Sequence, residues 1–175
     1  PKIPRRACFE LHALKFIAEG DNAILIGPPG TGKSHLAKAI AYSAVRSGLR
    51  VLYTEADELL GELVSASAFE RRKLLKPIIE ADLLVLDDLF MTRRIAQEST
   101  DQLQGLVHQR YKLRRSTLIT SNRIIADWDK YLGDAALAST ILDRLMHRSV
   151  LLEFKGRSYR LKEAASRLAS AEDRT

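Results

Sequence analysis

The chain has 175 residues, with 28 Lys and Arg against 22 Asp and Glu and a formal net charge of +6. At 46% apolar and 29% charged it has the composition of a globular domain with a core, and no apolar run approaches the roughly 20 residues of a membrane-spanning helix. The single cysteine, Cys8, excludes an internal disulfide framework and fits a reducing cytoplasmic setting, and the basic balance favours an acidic partner, nucleic acid first.

The opening stretch, PKIPRRACFE, has no apolar signal-peptide core. Residues 1–20 read as a lead-in, 21–156 as one domain core, and 157–175 as a C-terminal helix or tail. The first strand signal, AILI at 23–26, runs into GPPGTGKS, Gly27 to Ser34. This is the G-x-x-x-x-G-K-[ST] phosphate loop, the Walker A pattern. Gly27, Gly30 and Gly32 carry no Cβ, so the backbone can take positive φ and close on a ligand. Its successive N–H groups form a nest for phosphate oxygens, Lys33 can reach the β- and γ-phosphates, and the Ser34 hydroxyl can ligate Mg²⁺. The nucleotide-facing residues are therefore Gly27, Pro28, Pro29, Gly30, Thr31, Gly32, Lys33, Ser34 and His35, with ATP and Mg²⁺ as the expected ligands. A helix over 33–47 follows, with Leu36, Ile40, Ala44 and Val45 on one side and Gly48 as its stop.

Further strands are predicted at 50–54, 82–87, 116–120 and 149–154, and further helices at 56–64, 68–80, 97–113 and 134–146. Strands spaced by helices imply βαβ units, and continuous apolar strands imply that both sheet faces are covered. The expected fold is α/β: three layers around a mostly parallel five-stranded sheet. Asp87 and Asp88 follow the apolar run LLVL, at the strand end where open α/β sheets bind ligands. Asp87 can enter the Mg²⁺ shell, and Asp88 can polarise an attacking water. Asn122 ends the STLITSN segment, where it could bond a γ-phosphate or the water; Ser and Asn at that place equally suit a simple turn. The 134–146 helix has an apolar stripe of Leu137, Ile141, Leu142 and Leu145, with Arg144 at its edge. Arg144 could enter a neighbouring subunit's site; from the residues alone a surface ion pair is the simpler reading. Basic clusters at Arg71–Arg72–Lys73, at Arg93–Arg94 and at Lys112, Arg114 and Arg115 could neutralise DNA phosphates, and the last two are the DNA-binding candidates. No aromatic residues interleave with them to stack bases, so sequence-specific readout is not expected.

The segments GPPGTGKSHLAKAIAYSAVRSGLRVLY, DLLVLDDLF, STLITSNRIIADWDKYLGDAALASTILDRLMHRS and FKGRSYRL together resemble the IstB/DnaC-like branch of the AAA+ ATPases, most closely the IstB-type helpers of insertion-sequence transposition. The resemblance covers roughly residues 21 to 162, and the order TSN, W…GD, ILDRL…H, G-x-SYR is its most specific part. It implies Lys33 and Ser34 as the Walker A pair, Asp87 and Asp88 as the Walker B acids, Asn122 as sensor 1 and Arg144 as an arginine finger acting in trans. Asp88 stands where the family usually has Glu, one methylene longer, which bears on rate rather than on nucleotide binding. The resemblance also implies that the family's N-terminal domain is absent from this sequence, that a loop of the lead-in is missing, and that the helical lid is absent or minimal. The implied activity is ATP-dependent assembly of a homo-oligomer on duplex DNA that recruits or activates a transposase. A DnaC-type replicative helicase loader and a slow nucleotide-switched DNA-binding module are the alternatives. A metabolic P-loop kinase is disfavoured by Asn122, Arg144 and the lack of an acceptor pocket.

Overall fold

The computed structural model describes residues 5–91 and 95–164. The strands β1 (Asn22–Ile26), β2 (Val51–Glu55), β3 (Leu83–Leu89), β4 (Ser116–Ser121) and β5 (Ser149–Glu153) form one sheet in the order β2-β3-β4-β1-β5. Every pairing in it is parallel. Parallel strands need crossovers, and the crossovers put helices on both faces. Helices α1 (Arg5–His12), α2 (Lys15–Glu19) and α3 (Lys33–Arg46) cover the face that presents Ala23, Leu25, Leu83, Val85 and Leu118. On the other face α4 (Ala56–Ser65), α5 (Ala68–Glu80), α6 (Gln97–Lys112), α7 (Trp128–Leu132) and α8 (Ala135–Met146) cover Ile24, Ile26, Leu84, Leu86 and Ile119. Alternation along β1 explains both sets at once: Ala23 and Leu25 point one way, Ile24 and Ile26 the other.

The three-layer α/β expectation holds, and each predicted strand and helix lies within about two residues of its observed place. The lead-in does more than lead in. Leu11, Phe16 and Ile17 of α1 and α2 are buried in the same cluster as β1 and α3. At the other end, residues 159–164 are helical.

Two local devices fix the elements around the site. The first is Trp128, which is fully buried. Its ring meets Phe90 edge-on at 5.3 Å, Phe90 stacks on Tyr131 at 5.5 Å, and the Arg123 guanidinium lies 4.8 Å from the Tyr131 ring. The Trp128 indole N–H donates to the Arg123 carbonyl at 3.2 Å. Gly133 ends α7 at φ 80°, and Asp134 caps α8 by accepting from the Ala136 and Leu137 amides at 2.8 and 2.9 Å. The W…GD motif is thus a fastening for α7 and α8.

The second device is Arg110 on α6, 1% exposed. Burial lowers the pKa of its guanidinium, which donates to the carbonyls of Ile78, Ile79, Ala81 and Ser116 and to the Thr117 hydroxyl. It ties the end of α5 to the start of β4. Arg110→Leu leaves those acceptors dry and unpaired, at about 1–3 kcal/mol for each that water cannot reach. We expect urea denaturation to report a loss on the order of 3–5 kcal/mol.

Candidate nucleotide site

The C-terminal ends of β1, β3 and β4 converge because β4 lies between the other two. The phosphate loop leaves β1 with Gly27 at φ 142°, Gly30 at φ 74° and Gly32 at φ 105°. A Cβ at Gly27 would stand 2.3 Å from the Phe154 carbonyl oxygen, whereas one at Gly32 meets none of the described residues within 4 Å. Gly27 is therefore required by packing on the chain after β5, and Gly32 by its left-handed conformation on the open side of the loop. Thr31 donates its hydroxyl to the Pro28 carbonyl at 2.8 Å.

Lys33 opens α3 and is 4% exposed. Its ammonium donates to the Gly27 carbonyl at 2.8 Å, the Pro28 carbonyl at 3.0 Å and Asn122 Oδ1 at 2.7 Å. Burial lowers its pKa, and the nearby Asp88 and Asp87 carboxylates work against that shift. Ser34 is half-buried beside it and His35 is exposed, as are Pro28 and Pro29.

Asp87 and Asp88 lie where the β3–β4 register shifts, between Leu86 and Leu89. Asp88 has φ 54° and Phe90 φ 62°, both unusual for residues with side chains. The bulge turns the two carboxylates differently. Asp87 is buried and accepts from the Thr120 hydroxyl and from the Tyr53 phenol. The Asp88 amide in turn donates to the Thr120 oxygen at 2.8 Å. Burial first, then the bond to Asp87, raises the Tyr53 pKa, so the phenol stays a donor. Asp88 is half-buried; burial and then repulsion from Asp87 raise its pKa, while Lys33 and Arg160 oppose the shift. The raised pKa suits a carboxylate that must take a proton in passing. A serine hydroxyl, a carboxylate and phosphate oxygens are the hard donors that Mg²⁺ takes, so Ser34 and Asp87 fit that ion.

Sequence reasoning did not find Tyr53, Thr120 or the segment after β5. The Tyr159 amide donates to the Gly30 carbonyl at 2.8 Å, and Ser158 Oγ lies 2.0 Å from where a Gly30 Cβ would be. The only signal for Tyr53 was its place in a strand, and strand order is invisible without the sheet. The G-x-SYR motif did carry a signal: it is the part of the chain folded against the phosphate loop.

Arg144 lies elsewhere. It shares a cavity with Asn22 and Thr117, near the N-terminal ends of β1 and β4, and the Asn22 amide donates to the Leu145 carbonyl at 3.1 Å. Gly27 follows the opposite end of β1, roughly 13 Å away for the strand alone. Arg144 Nη1 is buried and has no hydrogen-bond acceptor among the described residues. Among the DNA-binding candidates, Arg93 and Arg94 lie outside the described residues. Lys112, Arg114 and Arg115 line the same cavity as Arg144, and Arg115 is engaged by Asp82.

No helix among the described residues is long and apolar enough to cross a membrane. The structure is similar to the crystal structure of the DnaC helicase loader, with a TM-score of 0.70 and 26% identity over 89% of this chain and 93% of that chain. The fold is the P-loop AAA+ domain. An ATP-binding protein of insertion sequence IS21 from Pseudomonas aeruginosa is 41% identical over 164 residues, 93% of this chain and 61% of that protein. One of insertion sequence IS5376 from Geobacillus stearothermophilus is 32% identical, over 93% of this chain and 64% of that protein. The chain spans less than two thirds of the length of these relatives. The profile of the IstB-like ATP binding protein family matches residues 1–167. With the match running through every element of the site, the chain belongs to the IstB-like ATP binding protein family.

Proposed function

We propose that this chain is the ATPase core of a transposition helper that assembles with copies of itself on duplex DNA and recruits or activates a transposase. The observation that carries the reading is the division of the machinery. Lys33, Asp87, Asp88 and Asn122 stand at one end of the sheet, and Arg144, with a buried unpaired nitrogen, stands at the other. Such a chain needs a second copy to complete its site. The insertion-sequence relatives supply the transposition context, and the single cysteine fits work in the cytoplasm.

The chemistry follows from the residues. A triphosphate entering the loop draws Lys33 away from the Gly27 and Pro28 carbonyls and from Asn122. Lys33 then neutralises phosphate charge, and the freed Asn122 amide can orient the γ-phosphate or the water. Ser34 and Asp87 would hold Mg²⁺, which would supply charge neutralisation at the phosphates. Tyr53 and Thr120 keep Asp87 aimed. Asp88 polarises the water. Arg144 of one copy stabilises charge developing on the γ-phosphate bound by the next. Binding favours assembly and hydrolysis releases it.

The test is steady-state ATP hydrolysis by the full-length protein, titrated with duplex DNA and then with the transposase. Stimulation by both supports the reading; stimulation by single-stranded DNA and a helicase alone would support the loader alternative, for which the likeness to the DnaC helicase loader speaks. In the same assay Asp88→Asn should keep ATP and Mg²⁺ binding, because Asp87 remains, and turn over at least 100-fold more slowly, the lower range for a lost general base. Turnover at the parent rate would assign the water to another group and leave Asp88 to a switching role.

A further inference from the structure

Opposite Asp87 and Asp88 the partner strand has one residue where β3 has two. Leu86 pairs with Ile119 and Leu89 with Ser121, so Thr120 alone faces the two acids. A bulge leaves its extra residue out of the ladder, and the backbone groups of that residue need other partners. Thr120 is fully buried, and its hydroxyl supplies one. The Asp88 amide donates to the hydroxyl oxygen at 2.8 Å, and the hydroxyl donates to Asp87. An N–H can only donate, so the single hydroxyl proton is left for the carboxylate, and the two roles cannot be exchanged. Ser121, also fully buried, closes the far side of the bulge by donating to the Leu89 carbonyl at 2.7 Å.

We propose that Thr120 is a positioning residue for Asp88: its hydroxyl, through the Asp88 amide, holds the backbone turn that aims the Asp88 carboxylate at the attacking water. The proposal rests on the reading of Asp88 as the group that polarises that water. Two observations put the effect on Asp88 rather than on Asp87. First, Asp87 has a second donor in the Tyr53 phenol and keeps it if the Thr120 hydroxyl is lost. Secondly, Asp88 sits at φ 54°, a left-handed backbone that side chains disfavour, though Asp less than most. Such a conformation persists only where the surroundings over-determine it. The bond to a buried hydroxyl is a constraint of that kind, and it acts on the N–H of the very residue whose φ is unusual. Rotation about that N–Cα bond swings the carboxylate directly, so the hydroxyl acts on the acid with no residue between them.

A double-mutant cycle on the full-length protein tests this, read by single-turnover ATP hydrolysis and by fluorescent-ATP titration with and without Mg²⁺. Thr120→Val keeps the shape of the side chain and removes the hydroxyl. It should bind ATP as the parent does, with and without Mg²⁺, and turn it over about 10–100-fold more slowly, the scale of a small misplacement of a catalytic group. Thr120→Ser, which keeps the hydroxyl, should retain most of the parent rate. In an Asp88→Asn background Thr120→Val should cost almost nothing further, because the carboxylate it aims is already gone. If Thr120→Val melts below the assay temperature, Thr120→Cys, with a weak donor and acceptor of similar size, is read in its place. A threonine that only holds the fold together would cost the same factor in the Asp88→Asn background as in the parent. That additive result, or parent-rate turnover by Thr120→Val, overturns the proposal. A fall confined to Mg²⁺-dependent ATP affinity also overturns it and assigns the hydroxyl to Asp87 and the metal. Parent-rate turnover by Asp88→Asn alone removes the reading beneath the proposal, a result seen before Thr120 is changed.

Discussion

Arg144→Ala should bind ATP like the parent and hydrolyse it about 10³–10⁵-fold more slowly, the range that arginine fingers supply. The size of the effect follows from where charge develops: the transferring phosphoryl group spreads negative charge over its oxygens, and a planar guanidinium meets it with fixed donors. The mutant's own site keeps Lys33, Ser34, Asp87, Asp88 and Asn122, so affinity is untouched. Mixing separates a group acting in trans from a structural one. Lys33→Ala protein has no working loop but an intact Arg144. Combined with Arg144→Ala protein, it can lend its arginine to the neighbour's intact site, and part of the activity should return. Parent activity should also climb faster than linearly with protein concentration. No rescue, together with concentration-independent specific activity, would place Arg144 within its own subunit's structure and end the oligomeric reading.

Lys33→Ala is the second large effect. Lys33 is buried and makes three short bonds, two of them to the loop that would hold the phosphates. Its loss removes a cation from a site that already contains two carboxylates. Charge-assisted bonds are worth about 1.5–3 kcal/mol each, so two lost phosphate contacts lower affinity on the order of 100-fold or more. Removing the ammonium also leaves Asp87 and Asp88 facing a triphosphate with less opposing charge. Titration with fluorescent ATP measures the loss. An affinity equal to the parent's would take the phosphate site away from this loop.

The sequence carries the strands because each is an apolar run bounded by turn residues, and β1 to β5 lie close to their expected bounds. It carries the phosphate loop and the paired acids because their spacing is local. It does not carry α1, α2 or α7. The last two have five residues each, and tertiary contacts such as buried Phe16 and Trp128 hold them where helix propensity alone would not. Nor does it carry the left-handed backbone at Asp88 and Phe90, which the bulge against β4 imposes. Tyr53 was out of reach for a similar reason: it touches Asp87 across a strand pairing between residues 34 positions apart. Lys112, Arg114 and Arg115 form a basic cluster and a DNA-binding candidate in the sequence, and only the folded chain brings them to the cavity of Arg144.

The aromatic stack beside the paired acids has a mechanical consequence. Phe90 is two residues beyond Asp88, fully buried, and clasped by Trp128 and Tyr131. Trp128 and Tyr131 belong to α7, and only Gly133 and the Asp134 cap separate α7 from the helix that bears Arg144. Interiors packed at crystal density do not absorb a shift by stretching; they move as blocks or switch between arrangements. On the function proposed above, a rearrangement of the Asp87–Asp88 bulge on loss of the γ-phosphate would press Phe90 against Trp128 and shift the root of α8, so that a subunit's own nucleotide state would change its contact with a neighbour.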